Sequence, residues 1–98
     1  MLAKFIRAFR TPSSERFIVQ TKEGEDAAVL ELHYLPHGKV AGTVILFEQS
    51  HISEASVPEL LQTIDEVLLP DVSIANDQVS FTVVRGHIVG SFAPHKPN

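Results

Sequence analysis

The sequence predicts a small α+β protein in which a largely antiparallel sheet of about six strands carries one helix on a face. Its 98 residues are the length of a single domain, 1–98. Several stretches alternate apolar and polar residues with a period of two, separated by turn-forming glycine, proline and asparagine. Residues 57–69 show a helical period instead. We therefore expect an N-terminal helix followed by βββ–α–βββ, with two three-strand meanders.

The first predicted element is a basic amphipathic helix over residues 2–10. Its apolar positions follow the spacing i, i+3, i+4, i+7, and Lys4, Arg7 and Arg10 lie off that stripe. Pro12 ends it, because the residue before a proline disfavours the helical conformation. The helix has three possible roles: packing on its own sheet, docking on a protein partner, or acting at a membrane, either lying on an anionic surface or serving as an organelle-targeting presequence. For docking, the partner-binding residues are Leu2, Phe5, Ile6, Arg7 and Phe9.

The first meander is predicted from strands at 17–19, 28–34 and 40–47. Leu35-Pro36-His37-Gly38 has the composition of a short turn, so the last two strands form a hairpin. Pairing Leu35 with Lys39 makes one face apolar throughout, with these pairs: Tyr34–Val40, Leu32–Gly42, Leu30–Val44 and Ala28–Leu46. A slip of one residue would mix the two faces. The opposite face is polar near the turn and apolar at its far end.

The second predicted helix begins after Ser56, in the capping-box pattern Ser56-Val57-Pro58-Glu59. Its apolar stripe consists of Val57, Leu60, Leu61, Ile64, Val67 and Leu68. Pro70 ends it. The one-sided stripe predicts a helix that lies on a sheet.

The last third of the chain predicts a second meander, with turns at 76–77 and 85–86. These turns align Ile74 with Val79 and Val83 with Ile88. Residues 38–44 and 86–92 resemble each other, which indicates either two pseudo-symmetric halves or the general similarity of hairpins. The glycines within these strands, Gly42 and Gly90, predict close packing against a neighbour such as Leu32 or Phe81. Residues 93–98 are expected to be a loose tail.

Composition and charge exclude several classes of function. The absence of cysteine excludes disulfides, a thiolate zinc site and a cysteine nucleophile. Residues 1–16 carry four basic residues and one acidic residue, whereas 17–98 carry four basic and eleven acidic residues. An acidic body of this kind argues against nucleic-acid binding. No purely apolar run exceeds the four residues of Val44 to Phe47, so no membrane span or secretory signal is expected, and we predict a cytoplasmic location.

Catalytic motifs are missing, and the sequence predicts no cofactor. One alternative is a small-ligand or metal-dependent enzyme built on His33, His37, His87 and Glu31. The first two histidines flank the first hairpin turn and the third follows the corresponding turn of the second half, so matching halves would bring them together. Zinc requires three or four such ligands.

The apolar residues on the second sheet face, Val29, Ile45 and Phe47, need a cover that one central helix does not provide. We therefore predict a homodimer with these residues as its oligomer face. The leading functional hypothesis is a non-catalytic interaction or adaptor domain, which self-associates through its sheet and engages a protein partner through residues 2–10.

Overall fold

The computed structural model describes residues 3–70 and 78–94. Its strands are β1 (Ala3–Thr11), β2 (Ser14–Thr21), β3 (Asp26–Tyr34), β4 (Val40–Phe47) and β5 (Val79–Gly86), and its helix is α1 (Val57–Leu68). The five strands form one sheet in chain order. Strands β1 to β4 are antiparallel neighbours, and β5 runs parallel to β4. The protein is a small α+β fold with a mostly antiparallel sheet, as expected, but the predicted βββ–α–βββ layout is wrong.

The predicted helix at 2–10 is also wrong, because residues 3–11 form the edge strand β1. Ile6 lies opposite Ile18, and Phe9 lies opposite Arg16. The register shifts between Arg7 and Phe9, which leaves Ala8 as a bulge. The extra residue places Ile6 and Phe9 on one face although they are three positions apart, which is a helical spacing. A bulged strand therefore imitates the pattern of an amphipathic helix.

The β3–β4 hairpin is confirmed in its predicted register, from Tyr34 opposite Val40 to Ala28 opposite Leu46. The amide of Leu35 donates to the carbonyl of Lys39 at 2.8 Å and closes the turn. His37 and Gly38 adopt the left-handed conformation there, with φ of 66° and 73°. Glycine accepts such angles without strain, which explains its place in the turn.

The second meander is not formed, because the chain returns from α1 as a strand parallel to β4. A helical connection carries the chain back along the sheet, so the next strand runs in the same direction. The predicted turn at 85–86 is occupied by β5 itself, since Arg85 and Gly86 pair with Leu46 and Phe47. Residues 87–94 have no regular structure. The predicted strand around Ile74 lies outside the described residues.

The core lies between α1 and one face of the sheet, which we call the helix face. Its side chains are buried residues of β2 to β5 and of the helix, and the central ones are Phe17, Val19, Leu30, Leu32, Val44, Leu60 and Ile64. The helix stripe is confirmed except for Val67, which is 58% exposed. The Ser56 half of the predicted capping box is not formed, because Ser56 makes no side-chain cap and its hydroxyl lies 3.1 Å from that of Ser53.

Gly42 lies where β4 meets the aromatic ring of β5. A Cβ at this position would lie 2.5 Å from Cδ1 of Phe81 and 3.5 Å from a Leu32 methyl carbon. The predicted reason for glycine here, close packing against a neighbour, is confirmed. Within residues 3–70 and 78–94, no helix is long and apolar enough to cross a bilayer.

Candidate functional site

The face of the sheet opposite α1, which we call the open face, carries a continuous row of aliphatic side chains. One residue comes from each strand, and neighbours in the row are register partners: Ile6, Ile18, Val29, Ile45 and Val84. We call this set the apolar row. Its two ends are the exposed part, with Ile6 at 48% and Val84 at 46%. Val29, at the centre, is buried between its neighbours.

A mixed polar row lies beside the apolar row, on the side of the β3–β4 turn. The Arg16 guanidinium donates to Oε1 of Glu31 from Nε at 2.8 Å and also from Nη2. The same guanidinium lies 5.4 Å from the centre of the Phe9 ring. His33 Nε2 is 3.8 Å from Glu31 Oε2. The open face therefore pairs its own charges and presents neither a basic nor an acidic patch here.

The predicted oligomer-face residues all belong to the open face. Val29 and Ile45 are opposite each other, and Phe47 follows two residues along β4. Ile45 and Phe47 are half-buried, and Val29 is 1% exposed. Sequence reasoning thus found the centre of the surface, but it missed the contributions of β1 and β5.

The residues predicted to bind a partner are divided between the two faces. Phe5 packs against the core on the helix face, and Arg7 lies with its guanidinium 5.6 Å from the Phe17 ring centre. Ile6 and Phe9 lie on the open face. Leu2 is outside the described residues. No single surface therefore presents the stripe that a helix would have formed.

Sequence reasoning missed a buried carboxylate near the edge of the helix face. Glu15 is 6% exposed, and its Oε1 lies 3.0 Å from Nε of Arg7 and 3.6 Å from Nε of Arg10. The Tyr34 hydroxyl donates to Oε2. Burial, followed by the hydrogen bond and the charge of Glu15, raises the pKa of Tyr34 to about 12. The alternation of β2 places Glu15 on the buried face of Phe17, and this signal could have found it.

This cluster links β1, β2 and β3 at the end of the sheet that carries the β1–β2 and β3–β4 turns. The two arginines approach the same oxygen, so the carboxylate is matched by cations from the edge strand. Its polar groups contact one another, and the arrangement explains stability more directly than catalysis.

The histidines of the alternative hypothesis lie at different ends of the sheet. His37 is in the β3–β4 turn, and His87 follows β5, with Nδ1 3.7 Å from Oε2 of Glu48. Because β5 is parallel to β4, its last residues lie beside Phe47, at the end away from that turn. The described part of the chain contains no group of three or more histidine, aspartate or glutamate side chains that could hold a metal.

Two small cavities occur near the segment that precedes α1. One, of about 180 Å³, is lined by Ala3, Val19, Gln20, Thr21, Ala27, His51, Ile52 and Ser56. The other, of about 280 Å³, is lined by Leu46, Glu54, Val57, Val83, Val84 and Arg85. Both are smaller than ligand pockets, which commonly measure roughly 300–1,000 Å³. The open face is therefore the stronger candidate.

Comparison with known proteins finds no matching family model, no matching curated protein and no matching solved structure. The function is accordingly inferred from the geometry of this chain.

Proposed function

We propose that the protein is a non-catalytic interaction domain that forms a homodimer by packing the open faces of two sheets against each other. The observation that supports it best is the apolar row, which crosses all five strands on the face that α1 does not cover. Apolar surface of this extent on a sheet is typical of a surface that another sheet covers.

The size of the open face suits a stable dimer. Five strands at about 4.8 Å spacing and eight residues at about 3.3 Å give a face of roughly 600 Å² per copy. Two copies would bury about 1,200 Å², the lower limit of specific protein interfaces. Val29 lies on the middle strand, so a two-fold axis near it would bring the apolar row of each copy onto the other.

The charges beside the apolar row favour a second copy as the occupant. Arg16 and Glu31 already form an ion pair on this face, and Lys4 stands at its β1 edge. A surface with both signs can match itself under two-fold rotation, whereas a polyanion requires a single positive sign. The net charge of −4 also works against an anionic partner.

Sedimentation equilibrium of the full chain tests the proposal with a charge placed at one end of the apolar row. Burying an exposed isoleucine contributes about 1.5–3 kcal/mol, so the 48% exposure of Ile6 corresponds to about 1 kcal/mol per copy. In a dimer of the Ile6→Glu variant, both copies lose this contribution, about 2 kcal/mol in total, and each copy must also bury a carboxylate. We expect Ile6→Glu to weaken the dimer by at least about thirtyfold.

Val67→Glu is the matched control, because Val67 is more exposed than Ile6 but lies on α1, away from the open face. It should dimerise like the parent chain, and circular dichroism should show both variants folded. A parent chain that stays monomeric at high concentration would contradict the proposal. So would a dimer that the Ile6 variant leaves unchanged, and so would a stable complex with a different protein on this face.

A further inference from the structure

The two edges of the sheet differ in how they resist further strand pairing. The β1 edge carries Lys4, Arg7 and Arg10 and a bulge at Ala8, which are features that discourage edge-to-edge association. The β5 edge has none of these over residues 79–84, which contain no charged residue and pair with β4 without a register shift. The β5 edge is therefore the one that favours pairing with a further strand.

The backbone of β5 is oriented to accept such a strand. The carbonyls of Gln78 and Gly86 accept hydrogen bonds from the amides of Val40 and Glu48. The backbone N–H and C=O groups of the even-numbered residues of β5 therefore point toward β4. Backbone groups alternate in direction along a strand, and those of Phe81 and Val83 therefore point to the outer edge.

The segment directly after β5 has the composition of a strand. Residues 87–92 read His-Ile-Val-Gly-Ser-Phe, and none of the pairings in the described sheet includes them. Their apolar side chains are exposed: Ile88 by 44%, Val89 by 84% and Phe92 by 85%. Exposed aliphatic and aromatic side chains in a strand-forming segment are typical of a pairing surface.

The contacts at the end of β5 prevent this segment from turning back onto its own strand at 85–86. Arg85 donates from Nη2 to the carbonyl of Ile52 at 2.5 Å, and Gly86 accepts from the Glu48 amide at 3.0 Å. His87 lies 3.7 Å from the Glu48 carboxylate. The backbone therefore stays extended through Gly86. Pairing with a second copy requires this extended conformation, whereas a hairpin at 85–86 would require a turn there.

We propose that residues 87–92 of one copy pair with the β5 edge of a second copy, reciprocally, so that two sheets join edge to edge. The two β5 strands then run antiparallel about a two-fold axis near Arg85 and Gly86. This edge contact is separate from the open face and does not depend on the dimer proposed above. Where both contacts form, the assembly contains more than two chains.

Disulfide trapping between different chains tests the edge contact, and the chain has no cysteine to interfere. The side chain of Val84 lies on the open face. Side chains alternate between the two faces along a strand, so those of Thr82 and, if the strand continues, Ile88 lie on the open face as well. Chains carrying Ile88→Cys are mixed with chains carrying Thr82→Cys and then oxidised. A second mixture uses Ser80→Cys in place of Thr82→Cys, to test the register that is shifted by two residues. We expect one of these mixtures to give at least tenfold more mixed disulfide dimer than Ile88→Cys mixed with Val67→Cys.

A chain with both Thr82→Cys and Ile88→Cys distinguishes exchange from folding back. A disulfide within that chain, without mixed dimers in the two-chain experiment, would overturn the proposal, as would mixed dimers no more abundant than in the Val67 control. Val89→Pro removes a backbone donor from an exposed residue and should reduce trapping at least tenfold, whereas Ala93→Pro, outside the segment, should not. Ile6→Glu should leave trapping unchanged, which separates the edge contact from the open-face dimer.

Discussion

Replacing Gly42 by alanine tests the packing between β4 and β5. The new Cβ would lie 2.5 Å from Cδ1 and 2.6 Å from Cε1 of Phe81. Carbon atoms pack at about 3.5–4.0 Å, so the ring must move by about 1 Å. Overpacking of this kind costs about 1–3 kcal/mol. Alanine also reduces the conformational entropy of the unfolded chain, and where the native backbone suits alanine this effect stabilises the protein by about 0.4–1 kcal/mol.

The net expectation is a destabilisation of about 1–2 kcal/mol, which lowers Tm by roughly 5–15 °C in a chain of this size. Calorimetry at one fixed protein concentration measures it. Gly86→Ala is the matched control: it lies in the neighbouring strand, a Cβ there would have nothing within 4 Å, and it should be neutral or slightly stabilising. Phe81→Leu should recover part of the loss in the Gly42→Ala background. A Tm for Gly42→Ala equal to or above that of the parent chain would refute the reasoning.

Three further predictions concern polar contacts. Tyr34 is the single tyrosine, so a titration followed by absorbance near 295 nm should give its pKa as about 12. This pKa lies above the value of about 10 in the unfolded chain. The stabilisation from the neutral hydroxyl is therefore fully present below pH 10 and is lost as the pH rises through 12. Glu15→Gln should lower that pKa in the same titration, because it removes the negative charge beside the hydroxyl, and an unchanged value would contradict the assigned cause. Arg85→Ala should lower the free energy of unfolding in urea by about 1 kcal/mol, since it removes the hydrogen bonds to the carbonyls of Phe47 and Ile52; no change would show that these contacts add nothing.

The β3–β4 hairpin and α1 were predictable because local signals and the burial pattern agree there. The turn at Pro36–Gly38 fixes the register, and that register is also the one that collects Leu30, Leu32 and Val44 on one face. The stripe of α1 and its stop before Pro70 are equally local. Where turn chemistry and hydrophobic pattern indicate the same pairing, the sequence alone is sufficient.

Strands β1 and β5 were not predictable in the same way. The bulge at Ala8 changes the period of β1 from two to the spacing of a helix, and no residue type marks that bulge. The partner of β5 is decided by how the α1 connection crosses the sheet, although a strand–helix–strand order does favour a parallel pairing. The apolar row depends on both of these strands, so its ends, Ile6 and Val84, could be recognised only in the structure.

The parallel pairing of β5 has a consequence for how the chain folds. Each of the other strand pairs joins neighbours through a short turn, such as Thr11 opposite Ser14, whereas Val40 pairs with Val79, 39 positions later. Closing a long loop costs entropy before any contact repays it, so we expect the four-strand meander to form early and β5 to dock last. Strand β5 supplies one end of the apolar row and the edge that we propose pairs with a second copy. Both proposed contacts would therefore be restricted to chains that have completed this slow step, because nascent or partly unfolded copies present neither surface in full.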